Sequence, residues 1–406
     1  MPVGLRAPET LLPVAGVRWG TACAAIRQTE RDDVALLECS PQTQVASVFT
    51  RNQFVAAPVQ LARDHLKVQS PRALVVNSGC ANAGTGENGY HDAKQICQAV
   101  AKQLNVVTEQ VLPFSTGVIG ERLPVDRMVA GVRQCSERLR ADGWLRAARA
   151  IMTTDTVPKG VSAQTILGGQ TVTITGIAKG SGMIYPDMAT MLAYIATDAS
   201  VTHTVLQACL EQAVGQSFNR ITIDGDTSTN DACVILATGA VSQPSITTVD
   251  HPDYPEFAQA LTSVAKTLAQ AIVRDAEGAT KFVEIVVSGG AREADCLRVA
   301  HTIAHSPLVK TAFYASDPNW GRLLAAVGRS GVPNLDVRKV SIRINNQAIV
   351  TGGAVAPTYT EALGQSAMAN EELLVSIDLG AGDEQAAIWT CDLSNEYVRI
   401  NAEYRT

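Results

Sequence analysis

Thr190 follows Ala189 at the end of the run Lys179-Gly180-Ser181-Gly182-Met183-Ile184-Tyr185-Pro186-Asp187-Met188, and an apolar stretch from Met191 to Ile195 begins directly after it. A small residue and then a threonine at the mouth of a buried strand is what a hydroxyl needs if it is to attack the backbone bond before it. Scission there leaves Thr190 as a new amino terminus, whose free amine can serve as the base for its own hydroxyl. On this stretch alone, a turn leading into a core strand is the simpler reading, because the glycines bend the chain and Pro186 would stop a helix.

Three other stretches carry chemistry-bearing residues. In Val111 to Gly120, Thr116 and Gly117 interrupt an apolar strand, where consecutive backbone amides can point at one oxygen or simply form a bulge. The run from Asn77 to Gly89 is dense in small residues that admit close approach, either of an anion or of another backbone; no Gly-Lys-Ser/Thr closes it as a Walker loop. Asp224 to Asp231 is acidic, yet it lacks the glycine and distal glutamate of a calcium loop, so turn chemistry is expected. His301 and His305 stand at i, i+4 with no zinc-protease glutamate and read as one ordinary helix face, so no metal site is expected.

The elements that must position these residues alternate. Short β-branched runs predict strands at Val14 to Trp19, Val34 to Leu37, Val45 to Phe49 and Ala73 to Val76, with Pro58 marking an edge or exit position. Further strands are expected at Thr171 to Ala178, Thr280 to Val287, Val340 to Ile344, Leu373 to Ile377, Ala386 to Trp389 and Tyr397 to Ile400. Helical spacing predicts helices at Tyr90 to Leu104, Val125 to Leu139, Val201 to Val214, Tyr254 to Asp275 and Arg292 to Ser306, with another after Arg322. No internal repeat or linker divides the chain.

With 406 residues and 46% hydrophobic content, the chain is globular and large enough for two or three domains or one compound α/β fold. A net charge of -6 without a basic run argues against nucleic acid or an anionic membrane as partner and favours a small molecule. Nine cysteines scattered singly suggest reduced thiols in a cytoplasmic protein. The amino terminus lacks a secretory pattern, and no apolar run approaches the ~18 residues of a membrane span.

Taken together, these stretches resemble the ornithine acetyltransferase family of arginine biosynthesis, the bifunctional glutamate N-acetyltransferases. The resemblance covers essentially the whole chain. It rests on Lys179 to Ile184, Pro186, Met188 to Leu192, Ser115 to Gly120, Met152 to Thr156, Asp224 to Asp231, Arg274 to Phe282, Asp317 to Arg322 and Tyr404-Arg405-Thr406. It implies an α/β fold of layered sheets with helices outside, akin to the self-processing aminopeptidases. It also implies self-cleavage between Ala189 and Thr190, giving an α-chain of residues 1–189 and a β-chain of residues 190–406 intertwined in one fold, with an α2β2 assembly.

The implied reaction moves an acetyl group from N2-acetyl-L-ornithine to L-glutamate through an acetyl-Thr190 ester. Thr190 is then the nucleophile, and Thr116 and Gly117 stabilise the oxyanion. Thr153, Lys179, Thr190, Glu277, Asn401 and Thr406 contact substrate. The chemistry suits the residues: an α-amine with a pKa of ~7.7–8.0 accepts a hydroxyl proton near neutral pH, Lys179 suits an α-carboxylate, and Glu277 suits an ammonium. No cofactor is implied, and acetyl-CoA enters only as a second acetyl donor in the bifunctional members. Tyr185, Asp187, Ala276 and Cys80 stand where the family more often has Ala, Asn, Gly and Asn. The alternatives are an N-terminal-threonine amidohydrolase or aminopeptidase that passes the acyl group to water, and a non-catalytic binding protein that keeps the loop uncut.

Overall fold

The computed structural model describes residues 2–27, 30–185 and 191–403. Leu192–Thr197 is the strand about which the layers are arranged, and all six of its residues are buried. Because side chains alternate along a strand, Leu192, Tyr194 and Ala196 enter one core while Ala193 and Ile195 enter another. A strand covered on both faces needs an apolar run such as Leu192 to Ala196.

This strand is central in a five-stranded sheet of order Gln44–Phe49, Ala232–Ala237, Leu192–Thr197, Gln170–Lys179, Lys159–Leu167. Against one face packs a four-stranded sheet of order Val17–Ala22, Val34–Cys39, Ala73–Cys80, Val111–Val118. Between the sheets, Trp19 meets Tyr194 edge-on at 5.8 Å between ring centroids, and Phe114 meets Tyr194 at 5.3 Å. Such pairs contribute about 0.5–1.5 kcal/mol each beyond their buried area.

Helices close the outer faces. His203–Gly215 and Tyr254–Arg274 bury Val205, Leu206, Leu261, Val264 and Leu268 on the five-stranded sheet. Gly86–Leu104 and Val125–Glu137 bury Ile96, Val100, Met128 and Val132 on the four-stranded one. The result is helix, sheet, sheet, helix. A six-stranded mixed sheet built from residues 282–391 packs with its own helices around a separate core.

Strands from either side of the Ala189-Thr190 bond share the five-stranded sheet. Gln170–Lys179 runs antiparallel to Leu192–Thr197 with Lys179 opposite Leu192, and Leu192–Thr197 runs parallel to Ala232–Ala237. The chain between Lys179 and Leu192 therefore leaves and re-enters one end of one sheet. Ala189 and Thr190 themselves lie outside the described residues, as does Thr406.

Several expectations need correction. Pro58 is not at a strand exit: it opens the helix Ala57–Leu66 in its first turn, where a missing N–H costs nothing. Tyr397 to Ile400 is helical, within Asn395–Ala402, because the Ser394 side chain caps the Tyr397 amide and Arg399 pairs with Glu396 and Glu403 at helical spacing. The stretch expected as one helix from Arg292 to Ser306 is Glu293–Ala304, and Pro307–Tyr314 starts afresh with Ser306 as its cap. Lys159–Leu167 forms a hairpin with Gln170–Lys179 through Gly168-Gly169, both at positive φ. That glycine pair between β-forming runs was the available signal.

Candidate active site

A cleft of about 280 Å³ opens where the two sheets meet the end of the C-terminal helix. Thr116, Gly117, Thr153, Lys179, Glu277 and Asn401 all line it, so the fold brings together every expected site residue that the structure describes. They come from five separate places in the chain.

Thr116 and Gly117 lie near the end of Val111–Val118, which pairs in parallel with Ala73–Cys80. The register shifts at Cys80, which faces both Thr116 and Val118, so the expected bulge is real and falls at the proposed oxyanion pair. Gly117 has φ +135°, and a Cβ there would sit 2.2 Å from the Gly79 carbonyl carbon. The small residues of Asn77 to Gly89 thus serve, at Gly79, to admit another backbone.

Lys179 ends its strand and is 8% exposed. Its ammonium donates to Thr153 Oγ1 at 2.7 Å and to Thr116 Oγ1 at 3.1 Å. Among the described residues no carboxylate lies within ion-pair distance of it. Burial pushes the Lys179 pKa below the usual lysine value, while the charges of Asp155, Glu277 and Asp231 act against that shift and Lys159 adds to it.

What holds this lysine in place was not legible as a motif. Asp155 accepts from the Thr153 amide at 3.0 Å and from the Gly180 amide at 2.8 Å, so one carboxylate grips the residues on both sides of Lys179. Lys159 bridges Asp155 and Asp275, at 2.5 and 2.7 Å, with all three side chains almost wholly out of solvent. Asp275, just past the helix Tyr254–Arg274, also accepts from the Thr156 amide and hydroxyl. Burial opposes ionisation of Asp155, yet Lys159, Lys179 and the Gly180 amide outweigh it and hold the carboxyl well below the usual carboxylate range. The i, i+4 spacing of Asp155 and Lys159 was the only available hint, because Asp275 arrives from far along the chain.

Glu277 follows that helix and is buried. Its amide donates to Ser181 O at 2.8 Å, and its Oε2 accepts from Asn401 Nδ2 at 2.8 Å. Asn401 reaches it because the tail is helical: its amide also bonds the Tyr397 carbonyl one turn earlier, at 3.0 Å. Gly182 makes room, since a Cβ there would lie 2.4 Å from Glu277 Oε2.

The acidic run at 224–231 anchors neighbouring segments. Asp224 accepts from the Met183 and Ile184 amides at 2.6 and 2.9 Å and from the Tyr397 hydroxyl at 3.2 Å. Asn230 donates to Ala81 O and Ser115 O, joining this loop to the strand that carries Thr116 and Gly117. His301 and His305 stack edge-on against Tyr185, and burial lowers both imidazoles to about 4.

Arrangements of this kind can hold an amino acid by both ends, carboxylate on Lys179 and ammonium on Glu277, with an acyl oxygen at Thr116 and Gly117. Residues 18–406 match the model of the ArgJ family. The arginine biosynthesis bifunctional protein ArgJ of Pseudomonas fluorescens (strain Pf0-1) is 52% identical over 406 residues, spanning 100% of both chains. The protein of the same name from Methylococcus capsulatus is 54% identical over 396 residues, 98% of this chain and 97% of that one. Among solved structures, arginine biosynthesis bifunctional protein argJ of Bacillus halodurans is 38% identical with a TM-score of 0.51, covering 53% of this chain and 100% of its own.

Proposed function

Because the chain belongs to the ArgJ family, we propose that it transfers an acetyl group from N2-acetyl-L-ornithine to L-glutamate in arginine biosynthesis, after cutting itself between Ala189 and Thr190. The observation that carries this reading is the convergence of Thr116, Gly117, Thr153, Lys179, Glu277 and Asn401 on one cleft. Size supports the cut as well: the Bacillus halodurans chain is matched in full yet covers 53% of this one, the share that residues 190–406 would make up.

The Thr190 hydroxyl, its proton taken by the Thr190 amine, adds to the acetyl carbonyl. The oxyanion is held at Thr116 and Gly117, and the amide bond breaks as ornithine leaves with that proton. The glutamate amine then attacks the acetyl-Thr190 ester and gives up a proton; N-acetylglutamate departs and the hydroxyl is restored. Lys179 suits the α-carboxylate of each amino acid in turn, and Glu277 the side-chain ammonium of ornithine.

The test is ornithine release from N-acetylornithine with and without glutamate. Release that depends on glutamate, with parallel initial-rate lines, is expected; equal rates would make the protein a hydrolase and sink the proposal. On a denaturing gel the wild type should run as two chains and Thr190→Ala as one. The same reading includes an α2β2 assembly in the cytoplasm, with size-exclusion mass as its check. Formation of N-acetylglutamate from acetyl-CoA and glutamate decides whether acetyl-CoA is a second donor. Among the described residues no helix is long and apolar enough to cross a membrane.

A further inference from the structure

Asp231 lines the same cleft and has no part in the roles above. It is 2% exposed. Ser228 supplies a hydrogen bond to its carboxyl, but among the described residues the buried Oδ2 has no hydrogen-bond partner. A buried acceptor left without a donor is costly, so native chains seldom keep one without use.

Its place in the sheet is specific. Asp231 directly precedes Ala232–Ala237, whose first amide donates to Met191 O at 3.0 Å, and Leu192 pairs with Ala232. Asp231 thus stands level with Met191, one strand across, where neighbouring strands are ~4.8 Å apart. Met191 is the residue that follows Thr190. Burial raises the Asp231 carboxyl well above the usual carboxylate range, against the Ser228 hydrogen bond and the Lys179 charge, as suits an acid whose counter-ion is missing. Lys179 does not fill that role at contact distance: its ammonium donates to Thr116 and Thr153, and among the described residues no carboxylate lies within ion-pair distance of it.

We propose that Asp231 Oδ2 is the acceptor for a primary amine in the cleft, and so a further functional group of the transfer site. This rests on the acetyltransferase reading, in which amines are the groups that appear and disappear here. Two sources share that chemistry: the chain's own amine freed at Thr190, and the amine of the bound amino acid. The other charged groups lining the cleft are Lys179, at the end of Gln170–Lys179, and Glu277, in the turn after Tyr254–Arg274.

Asp231→Asn separates the sources in two measurements. Calorimetry with ornithine, on protein that also carries Thr190→Ala, reads the substrate amine: a Kd at least tenfold weaker assigns Asp231 to it. The pH profile of kcat/KM for N-acetylornithine, on processed enzyme, reads the chain's own amine. A neighbouring carboxylate raises an amine's pKa, so its removal should move the acidic limb about one unit lower in pH while the ornithine Kd stays within twofold. Both readouts unchanged would overturn the proposal. Should Asp231→Asn not fold, Asp231→Ser in the same two measurements decides. Failure of the acetyltransferase reading shows separately, as a wild type with no glutamate-dependent ornithine release.

Discussion

The ammonium of Lys179 donates to the hydroxyl of Thr116 at 3.1 Å, so the cation proposed to hold substrate is tied directly to the proposed oxyanion residue. A hydroxyl whose oxygen accepts from lysine must turn its own hydrogen elsewhere, and here the open direction is the cleft. Lys179→Met removes both the substrate's carboxylate partner and this orientation. We expect kcat/KM to fall about 10²–10³-fold, near the cost of losing one oxyanion donor. A fall under threefold in initial-rate assays would show the contact to be incidental.

Two glycines at the cleft should respond differently to alanine. At Gly117 the new methyl meets Gly79 backbone at 2.2 Å and φ is +135°, so Gly117→Ala should lose several kcal/mol of stability in urea unfolding or fail to accumulate. At Gly182 the obstacle is the Glu277 carboxylate at 2.4 Å, the end of a side chain that can turn away. Gly182→Ala should fold normally and raise KM for the amino-acid substrate about tenfold.

Asp155 makes acid stability testable. Its carboxyl titrates lower folded than unfolded, so its contribution is present above the unfolded value of ~3.9 and is lost as pH falls through the folded one. Asp155→Asn leaves Lys159 with Asp275 alone and should cost about 3–5 kcal/mol at pH 7, as expected for breaking a buried pair. The gap between wild type and variant in denaturant unfolding should narrow below about pH 4.

His301 and His305 act in the same direction over a higher pH window. Both are lowered to about 4, first by burial, so the folded protein binds fewer protons than the unfolded chain below ~6.5. Stability should decline from about pH 6.5 towards pH 4. In NMR titrations neither ring should gain its proton above pH 5; a midpoint near 6.5 for either would refute the buried-neutral assignment.

Asn401→Ala withdraws the donor 2.8 Å from Glu277 Oε2. A KM increase of about 5- to 10-fold with kcat little changed is the expected result, in line with loss of one hydrogen bond to a charged group. Thermal stability should hardly move, because Asn401 lies at the exposed end of the last helix.

The amino-acid sequence alone determined core strands, since runs such as Val34 to Leu37 and Ala73 to Val76 are apolar throughout, and it determined the long helices, whose buried stripes repeat at 3.6 residues. It also carried the family motifs, and with them Thr116, Gly117, Thr153, Lys179, Glu277 and Asn401 as candidates. Local pattern failed at the tail, where Tyr397 to Ile400 looks β-forming but the Ser394 cap and the Arg399 pairs make a helix. Only the tertiary structure decided that Asp155, Lys159 and Asp275 form one buried network, and that Asp231 is left with an unmatched oxygen beside Met191. The physical reason is distance along the chain: a charge is costly or useful according to what burial places against it, and Lys159 meets Asp275 from 116 residues away.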